Sequence, residues 1–159
     1  MSRLRNGQPF PPLEVPAVGG GTISLPADLI GSYGVVLIYR GSWCPYCNAQ
    51  LAGFSRAAGA LSGLGVKIAA LSVDDEQTSA ALIARHHLRF PVGHSADAGK
   101  VAAATGAYIN NNPRYLQSTG FVLAPDQTVR VAVYSSDAIG RLLADDVAGY
   151  IGYLTQHAA

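Results

Sequence analysis

The chain has 159 residues, a length typical of one compact domain, and 49% of them are hydrophobic while only 13% are charged, which excludes a disordered chain and predicts a well-filled core. Its formal net charge of +1, without a run of basic residues, argues against nucleic acid and against a membrane surface as partners. No targeting segment or membrane-length apolar stretch is recognisable, so we expect a cytoplasmic protein with a single domain over residues 1–159.

The first part of the chain predicts a hairpin followed by a buried strand. Residues 7–24 interleave proline and glycine with isolated apolar residues, which is typical of short strands joined by turns, and residues 25–29 suit a single helical turn. Residues 35–39 form an apolar run too short for a helix and rich in β-branched residues, as in a strand covered on both faces. A helix is then predicted from Pro45 to about residue 63, because apolar residues recur at spacings of three and four.

The remaining elements continue the alternation of strands and helices. They are predicted as a strand over 66–73, a helix over 76–86, a short apolar piece over 90–92, a helix over 98–105, a long loop over 106–118, a hairpin of 121–123 with 129–133, and a C-terminal helix. The apolar stripe of that last helix begins at Ile139, with Ser136 or Asp137 as its N-cap. This order predicts an α/β fold.

The only two cysteines, Cys44 and Cys47, lie three positions apart in Trp43-Cys44-Pro45-Tyr46-Cys47. The order strand, turn, Cys-x-x-Cys and helix places Cys44 at a helix N-terminus, where free N–H groups and the helix dipole stabilise a thiolate. Cys47, one turn further, is placed to attack a mixed disulfide or a sulfenic acid formed on Cys44. The pair therefore predicts a redox-active dithiol, in which Pro45 helps to hold the two sulfurs at bonding distance.

Two other roles for the pair are weaker. A zinc site needs two more ligands, but no second cysteine pair exists and His86-His87 lack the usual ligand spacing. A buried and unreactive pair is disfavoured by the placement at the start of a helix. We therefore expect no metal and no cofactor.

The residues around the pair resemble a known family. Residues 39–51, Tyr-Arg-Gly-Ser-Trp-Cys-Pro-Tyr-Cys-Asn-Ala-Gln-Leu, are similar to the active-site segment of peroxiredoxin-like proteins in the alkyl hydroperoxide reductase/thiol-specific antioxidant family. The similarity extends over residues 7–29, 71–74, 90–92 with Asp97 and Gly99, and 121–123. It implies a thioredoxin-like fold, in which a central mixed sheet has helices on both faces and an N-terminal β-hairpin extension.

Three positions depart from the family's pattern. Typical members carry a proline seven residues and a threonine three residues before the attacking cysteine, where this chain has Leu37 and Gly41. They also carry an arginine just before the late strand. The corresponding position of this chain is near Ser118, and the arginine is missing there. Thioredoxins and glutaredoxins place a cis-proline at about that point, which Ser118-Thr119-Gly120 lacks. The chain therefore has neither the full set of peroxiredoxin residues nor that of the thioredoxins and glutaredoxins.

Other residues near the motif are candidates for replacing the lost groups. The Arg40 guanidinium has five donors, which could serve an incoming oxygen or pair with a surface carboxylate. Trp43 is expected to shield Cys44 and to shape the surface where a partner docks, with ordinary packing as the alternative. We add Gly41, Pro45, Ser118 and Thr119 as residues that shape the substrate site, although the hydroxyls could equally satisfy turn backbone.

The sequence leaves three functions open. The first is a peroxide-reducing enzyme with Cys44 as attacking and Cys47 as resolving cysteine, restored by a thioredoxin-type or glutathione-type reductant. The second is a thiol–disulfide oxidoreductase that uses the same two residues on protein or small-molecule disulfides. The third is a redox sensor without turnover. The family resemblance favours the peroxidase, the missing threonine and arginine favour the oxidoreductase, and the peroxidase is our first choice. The oligomeric state is open, with a homodimer as one candidate.

Overall fold

A computed structural model describes residues 2–157 and is built around one five-stranded mixed sheet. The strands are β1 (Leu13–Pro16), β2 (Thr22–Leu25), β3 (Tyr33–Ile38), β4 (Val66–Leu71), β5 (Val92–Gly93), β6 (Ile109–Asn111), β7 (Arg114–Leu116), β8 (Thr119–Leu123) and β9 (Val129–Tyr134). The helices are α1 (Pro45–Arg56), α2 (Ala58–Gly63), α3 (Glu76–His86), α4 (Ala98–Thr105) and α5 (Ala144–Gln156).

The order of strands across the sheet is β5-β4-β3-β8-β9. Strand β3 lies in the middle, parallel to β4 and antiparallel to β8. All but the first of its residues are buried, as expected for a continuous apolar run covered on both faces. The mixed sheet that the resemblance implied is therefore confirmed, and the end of β3 leads directly into the cysteine motif.

Each face of the sheet is covered by its own hydrophobic layer. On one face Leu51 and Phe54 of α1, Leu82 of α3 and Ile151 of α5 pack with the alternate residues Val35, Leu37 and Tyr39. On the other face Val36 and Ile38 pack with Val101 and Ala102 of α4 and with the β1–β2 hairpin. Alternation along β3 sends successive side chains to opposite layers, which explains why the strand has no polar face. Helices on both faces and the N-terminal hairpin are as predicted.

Three predictions of local structure need correction. The helix from Pro45 is interrupted at Ala57, whose ψ of −3° departs from helical values, so α1 and α2 are separate. The loop predicted over residues 106–118 contains the β6–β7 hairpin, which turns at Asn112-Pro113. The C-terminal helix begins at Ala144, because the φ of +91° at Gly140 cannot belong to a right-handed helix. Neither Ser136 nor Asp137 caps it.

No helix within residues 2–157 is long and apolar enough to cross a membrane.

Candidate active site

Cys44 begins α1 as its N-cap residue, in the extended conformation that a cap requires, and Pro45 follows at the first helical position. The backbone N–H of Cys47 donates to the Cys44 Sγ at 3.3 Å. That N–H is one of the free donors of the first turn, so the sulfur takes the place of the usual capping oxygen. The predicted location of Cys44 at a helix N-terminus is therefore observed.

Both cysteines are buried and both are free thiols. Burial opposes ionisation of Cys44, but hydrogen bonds from the Cys47 thiol and N–H and from the Arg40 guanidinium, with the charge of Arg141, hold the pKa of Cys44 below its ordinary value. Burial, the hydrogen bond to Cys44 and the charge of Cys44 raise the pKa of Cys47 to about 11. The surroundings thus favour the thiolate at Cys44 and the neutral thiol at Cys47.

The guanidinium of Arg40 bridges the motif and the chain before β8. Its Nη1 lies 3.7 Å from the Cys44 Sγ, its Nε donates to Oε1 of Gln117 at 3.0 Å, and its Nη2 donates to the Tyr115 hydroxyl at 3.0 Å. The side chain is buried, and its contact with the exposed Asp137 is only a 4.0 Å approach. Arg40 is therefore fixed by neutral partners while one nitrogen faces the sulfur.

Trp43 lies against Arg40 and occupies the space beside Gly41. The Arg40 guanidinium carbon is 4.9 Å from the Trp43 ring, which also meets the Tyr115 ring edge to face at 4.9 Å. A Cβ on residue 41 would lie 2.2 Å from the indole Nε1. The threonine expected from the resemblance cannot fit at Gly41 while the indole is in this position.

Two polar residues fix the turn between Arg40 and Cys44. The Ser42 N–H donates to Oδ2 of Asp74 at 2.8 Å, and the Asn48 side chain donates to the Ser42 carbonyl at 3.0 Å. Burial raises the pKa of Asp74 above its usual value, although the Ser42 N–H partly offsets this. The neighbouring Asp75 has a different role, because it caps α3 by accepting from the Thr78 N–H at 2.8 Å.

Ser118 and Thr119, predicted to shape the substrate site, are buried at the start of β8. The Thr119 hydroxyl donates to the Gln117 carbonyl at 3.1 Å, and the Ser118 carbonyl accepts from the Ser135 N–H at 2.9 Å. They therefore support the segment that holds Arg40, while the hydrogen bonds to the two sulfurs within residues 2–157 come from Arg40, Cys47 and Arg141.

Tyr115, Gln117 and Arg141 also reach the site, and none of the three was predicted from the sequence. Arg141 Nη2 lies 3.6 Å from the Cys47 Sγ. The position of Gln117 beside Ser118 is the one signal that was available, because the resemblance already indicated that a polar group was needed there. In the described part of the chain, no group of three or more histidine, cysteine, aspartate or glutamate side chains is arranged to hold a metal ion.

Comparison with known proteins identifies relatives of this site and fold. A sequence model described as the AhpC/TSA family matches residues 6–132. The chain is 28% identical over 141 residues to a peroxiredoxin of Treponema denticola, covering 85% of this chain and 66% of that protein. A peroxiredoxin of Methanothermobacter marburgensis is 26% identical over 141 residues, with coverage of 85% and 65%. The chain thus spans just under two-thirds of the length of these relatives.

Solved structures share the fold. The AhpC of Mycobacterium bovis superposes with a TM-score of 0.82 at 20% identity, covering 100% of this chain and 96% of that one. The AhpC of Mycobacterium tuberculosis gives a TM-score of 0.81 at 18% identity, with coverage of 99% and 97%. These likenesses confirm the thioredoxin-like fold. Because the family's sequence model covers most of the residues, the chain belongs to the AhpC/TSA family.

Proposed function

We propose that this protein reduces peroxides, with Cys44 as the attacking cysteine and Cys47 as the resolving cysteine. One observation carries the proposal: a buried sulfur at the start of α1 is in contact with the guanidinium of Arg40, which Gln117 and Tyr115 hold in place. A fixed positive donor beside a thiolate stabilises it and can also serve a peroxide oxygen. Arg40 would then replace the arginine that the family carries near Ser118.

In the first step the Cys44 thiolate attacks one peroxide oxygen and the O–O bond breaks. Cys44 becomes a sulfenic acid, and the other oxygen leaves as an alcohol or water after it takes up a proton. Cys47 then attacks the sulfenic acid sulfur, a disulfide forms, and water leaves. An external dithiol of thioredoxin type or a glutathione-type thiol would reduce the disulfide and return both cysteines to the reduced state.

The burial of both sulfurs favours a small substrate. Cys44 and Cys47 each have 0% of their surface exposed, so a protein disulfide could reach Cys44 only after the surrounding loop had moved. A peroxide group needs far less space. The burial of the sulfurs therefore favours a peroxide over a protein disulfide as the substrate of the reduced enzyme.

Thiol–disulfide exchange is the second candidate, and one observation favours it. Trp43 and Tyr46, which flank the pair, are 54% and 51% exposed. Exposed aromatic side chains next to a reactive cysteine are suited to bind a partner. The same surface would also serve the reductant of a peroxidase, so this observation does not displace the first proposal.

The test follows the loss of peroxide with dithiothreitol or a thioredoxin system as reductant, in the wild type, Cys44→Ser and Cys47→Ser. We expect turnover in the wild type and none in Cys44→Ser. Without added reductant, the Cys47→Ser protein should still consume about one equivalent of peroxide, because its first step is intact, and a dimedone-type reagent should trap the sulfenic acid.

A parallel assay offers a small-molecule disulfide in place of peroxide. Rapid Cys44-dependent reduction of the disulfide without peroxide turnover would move the assignment to the second candidate. A reversible redox change without turnover of either substrate would indicate a sensor. Peroxide turnover that survives in Cys44→Ser would contradict the whole mechanism.

A further inference from the structure

A second guanidinium lies against the second sulfur. Nη2 of Arg141 is 3.6 Å from the Cys47 Sγ, while Nη1 of Arg40 is 3.7 Å from the Cys44 Sγ. The two arginines come from distant parts of the chain, the end of β3 and the loop before α5. Each sulfur of the pair therefore has its own positively charged donor.

Arg141 is held in this position by several contacts. Its Nη1 donates to the Ala138 carbonyl at 3.0 Å, and its guanidinium carbon lies 5.8 Å from the centre of the Tyr46 ring. Its Nε is buried and has no hydrogen-bond acceptor within residues 2–157. A buried donor without a partner lowers the stability of the fold. Packing alone therefore does not explain why an arginine lies at this position beside Cys47.

The loop that carries Arg141 is fixed to the rest of the site. The side chain of Leu142 is buried, and its carbonyl accepts from Nε2 of Gln50 on α1 at 2.8 Å. A Cβ on Gly120 of β8 would lie 3.0 Å from the Cβ of Leu142, so the loop and the sheet are in close contact. The guanidinium is consequently placed in advance against α1 instead of being an exposed side chain that meets the sulfur by chance.

The charges around Cys47 change when Cys44 is oxidised. In the reduced protein the hydrogen bond to Cys44 and the charge on Cys44 both favour the neutral form of Cys47. A sulfenic acid on Cys44 carries no such negative charge when protonated. The groups that favour a Cys47 thiolate, the Arg40 N–H and the Arg141 guanidinium, are then opposed mainly by burial.

We propose that Arg141 stabilises the thiolate of Cys47 in the second half of the catalytic cycle. This inference rests on the peroxidase function proposed above. During resolution the Cys47 thiol loses its proton, its sulfur attacks the Cys44 sulfenic acid sulfur, the S–O bond breaks and the hydroxyl leaves as water. During recycling the thiolate of the reductant attacks Cys44, the disulfide breaks and Cys47 leaves as a thiolate beside the same guanidinium.

The kinetic test uses Trp43, which is the only tryptophan and precedes Cys44, as a fluorescence reporter. Stopped-flow mixing with peroxide should give a phase whose rate rises with peroxide concentration and a second phase whose rate does not. Arg141→Met keeps an unbranched apolar side chain at this position but removes the charge. We expect it to slow the second phase by roughly 3- to 10-fold and to change the first phase far less.

Two further variants separate charge from structure. Arg141→Lys keeps a positive charge and should recover part of the second-phase rate. Arg5→Met removes an arginine at an exposed position of the N-terminal segment and should leave both phases unchanged. A second phase that is equally fast in Arg141→Met and the wild type, beside a normal first phase, would overturn the inference while leaving the peroxidase proposal intact.

A second measurement does not depend on peroxide chemistry. In Cys44→Ala the single remaining thiol is Cys47, which faces Arg40 and Tyr39 from the end of β3 and Arg141 from the loop before α5. The pH dependence of its alkylation by iodoacetamide, followed by mass spectrometry, reports its ionisation. Adding Arg141→Met should raise the apparent pKa of Cys47, because the positive charge that favours its thiolate is removed.

The two failures are distinguishable. A wild type without any peroxide-dependent phase would refute the peroxidase proposal and the resolving role of Arg141 with it. An alkylation profile that Arg141→Met does not shift would refute the electrostatic contact with Cys47, whatever the substrate of the enzyme is.

Discussion

The Nε of Arg40 donates to the Oε1 of Gln117 across 77 positions of the chain, and both side chains are buried. This bond joins the end of β3 to the residue before Ser118, where the family resemblance led us to expect an arginine. A guanidinium is present at this end of the sheet, but it comes from Arg40 in the turn that follows the neighbouring strand β3, and Gln117 acts as its support.

Replacing Arg40 by lysine should weaken the attack of Cys44 on peroxide even though the charge is kept. A lysine ammonium cannot reproduce the planar fork that reaches the sulfur, Gln117 and Tyr115 together. Loss of a hydrogen bond to a charged group is worth about 1.5–3 kcal/mol, so the second-order rate should fall roughly 10- to 100-fold. The measurement is the peroxide-dependent fluorescence phase.

The matched control is Arg56→Lys, an exposed arginine in the last turn of α1. Its rate should equal that of the wild type, because a lysine serves the helix C-terminus as well as an arginine does. An Arg40→Lys rate within a factor of two of the wild type would show that the guanidinium geometry is unimportant.

Gly41→Ala should displace Trp43. The added Cβ would overlap the indole, whose Nε1 would be only 2.2 Å away, so the ring must leave its contacts with Arg40 and Tyr115. We expect a shift in the tryptophan emission spectrum and a slower peroxide step, because the support of Arg40 is disturbed. Both are measured on the same purified protein.

Gly59→Ala is the control for this substitution. Gly59 lies in α2, and a Cβ there meets nothing within 4 Å. The change should leave the fluorescence and the peroxide rate unaltered and stabilise the protein by about 0.5–1 kcal/mol, since glycine is unfavourable inside a helix. If Gly41→Ala behaves like Gly59→Ala, the indole is not confined as described.

Local sequence signals were sufficient to locate the cysteines. The apolar run before the motif, the proline after Cys44 and the helical periodicity that follows are all nearest-neighbour features, so they predict a sulfur at a helix N-terminus. Arg40 could be chosen for the same reason, because it is adjacent to the turn. The predicted helix over 98–105 also agrees with α4, whose N-cap Asp97 and C-terminal Gly106 are readable in the sequence.

The rest of the site depends on contacts between distant parts of the chain. Tyr115 meets Arg40 across 75 positions, and Arg141 meets Cys47 across 94. No periodicity connects such residues. Arg141 was also missed because the C-terminal helix was predicted to start too early. The apolar pattern that includes Ile139 continues through Gly140, whose positive φ is visible only in the folded chain. Sequence patterns report hydrophobic spacing and not the backbone angle at a turn.

The raised pKa of Cys47 predicts that the reduced protein loses stability in alkaline solution. The thiol titrates near 9 in an unstructured chain but at about 11 in the folded protein. Below pH 9 the Cys47 thiol is protonated in both the folded and the unfolded chain, and its full contribution to the free energy of unfolding is present. As the pH rises from about 9 to 11, only the unfolded chain releases this proton. The contribution of Cys47 to the free energy of unfolding is therefore lost, on the order of 3 kcal/mol in total.

This loss is measured by denaturant unfolding under reducing conditions at a series of pH values, in the wild type and in Cys47→Ala. Groups that do not contact Cys47 are common to both proteins and cancel in the difference. Cys44, whose pKa the Cys47 thiol helps to lower, changes its contribution to stability only below about pH 9, outside this window. The stability advantage of the wild type should shrink as the pH rises through the window. A difference that is independent of pH would mean that Cys47 ionises equally easily in the folded and unfolded states.

The last prediction concerns the β6–β7 hairpin, which was expected to be a loop. Tyr115 of this hairpin makes two contacts. Its hydroxyl accepts the hydrogen bond from Nη2 of Arg40, and its ring packs edge to face against Trp43. Tyr115→Phe removes the first contact and keeps the second, so the indole should stay in place and its emission should not change. The guanidinium keeps its bond to Gln117 but loses one of its supports.

We expect the peroxide step to slow by roughly 2- to 10-fold in Tyr115→Phe, less than in Arg40→Lys, because the guanidinium itself and its bond to Gln117 are kept. Tyr108→Phe is the control, because Tyr108 is exposed and stacks with Arg3 through its ring instead of its hydroxyl. A slower rate with unchanged fluorescence would separate the support of Arg40 from the packing of Trp43. Equal rates in Tyr115→Phe and Tyr108→Phe would show that the Tyr115 hydroxyl is not needed to hold the guanidinium in place.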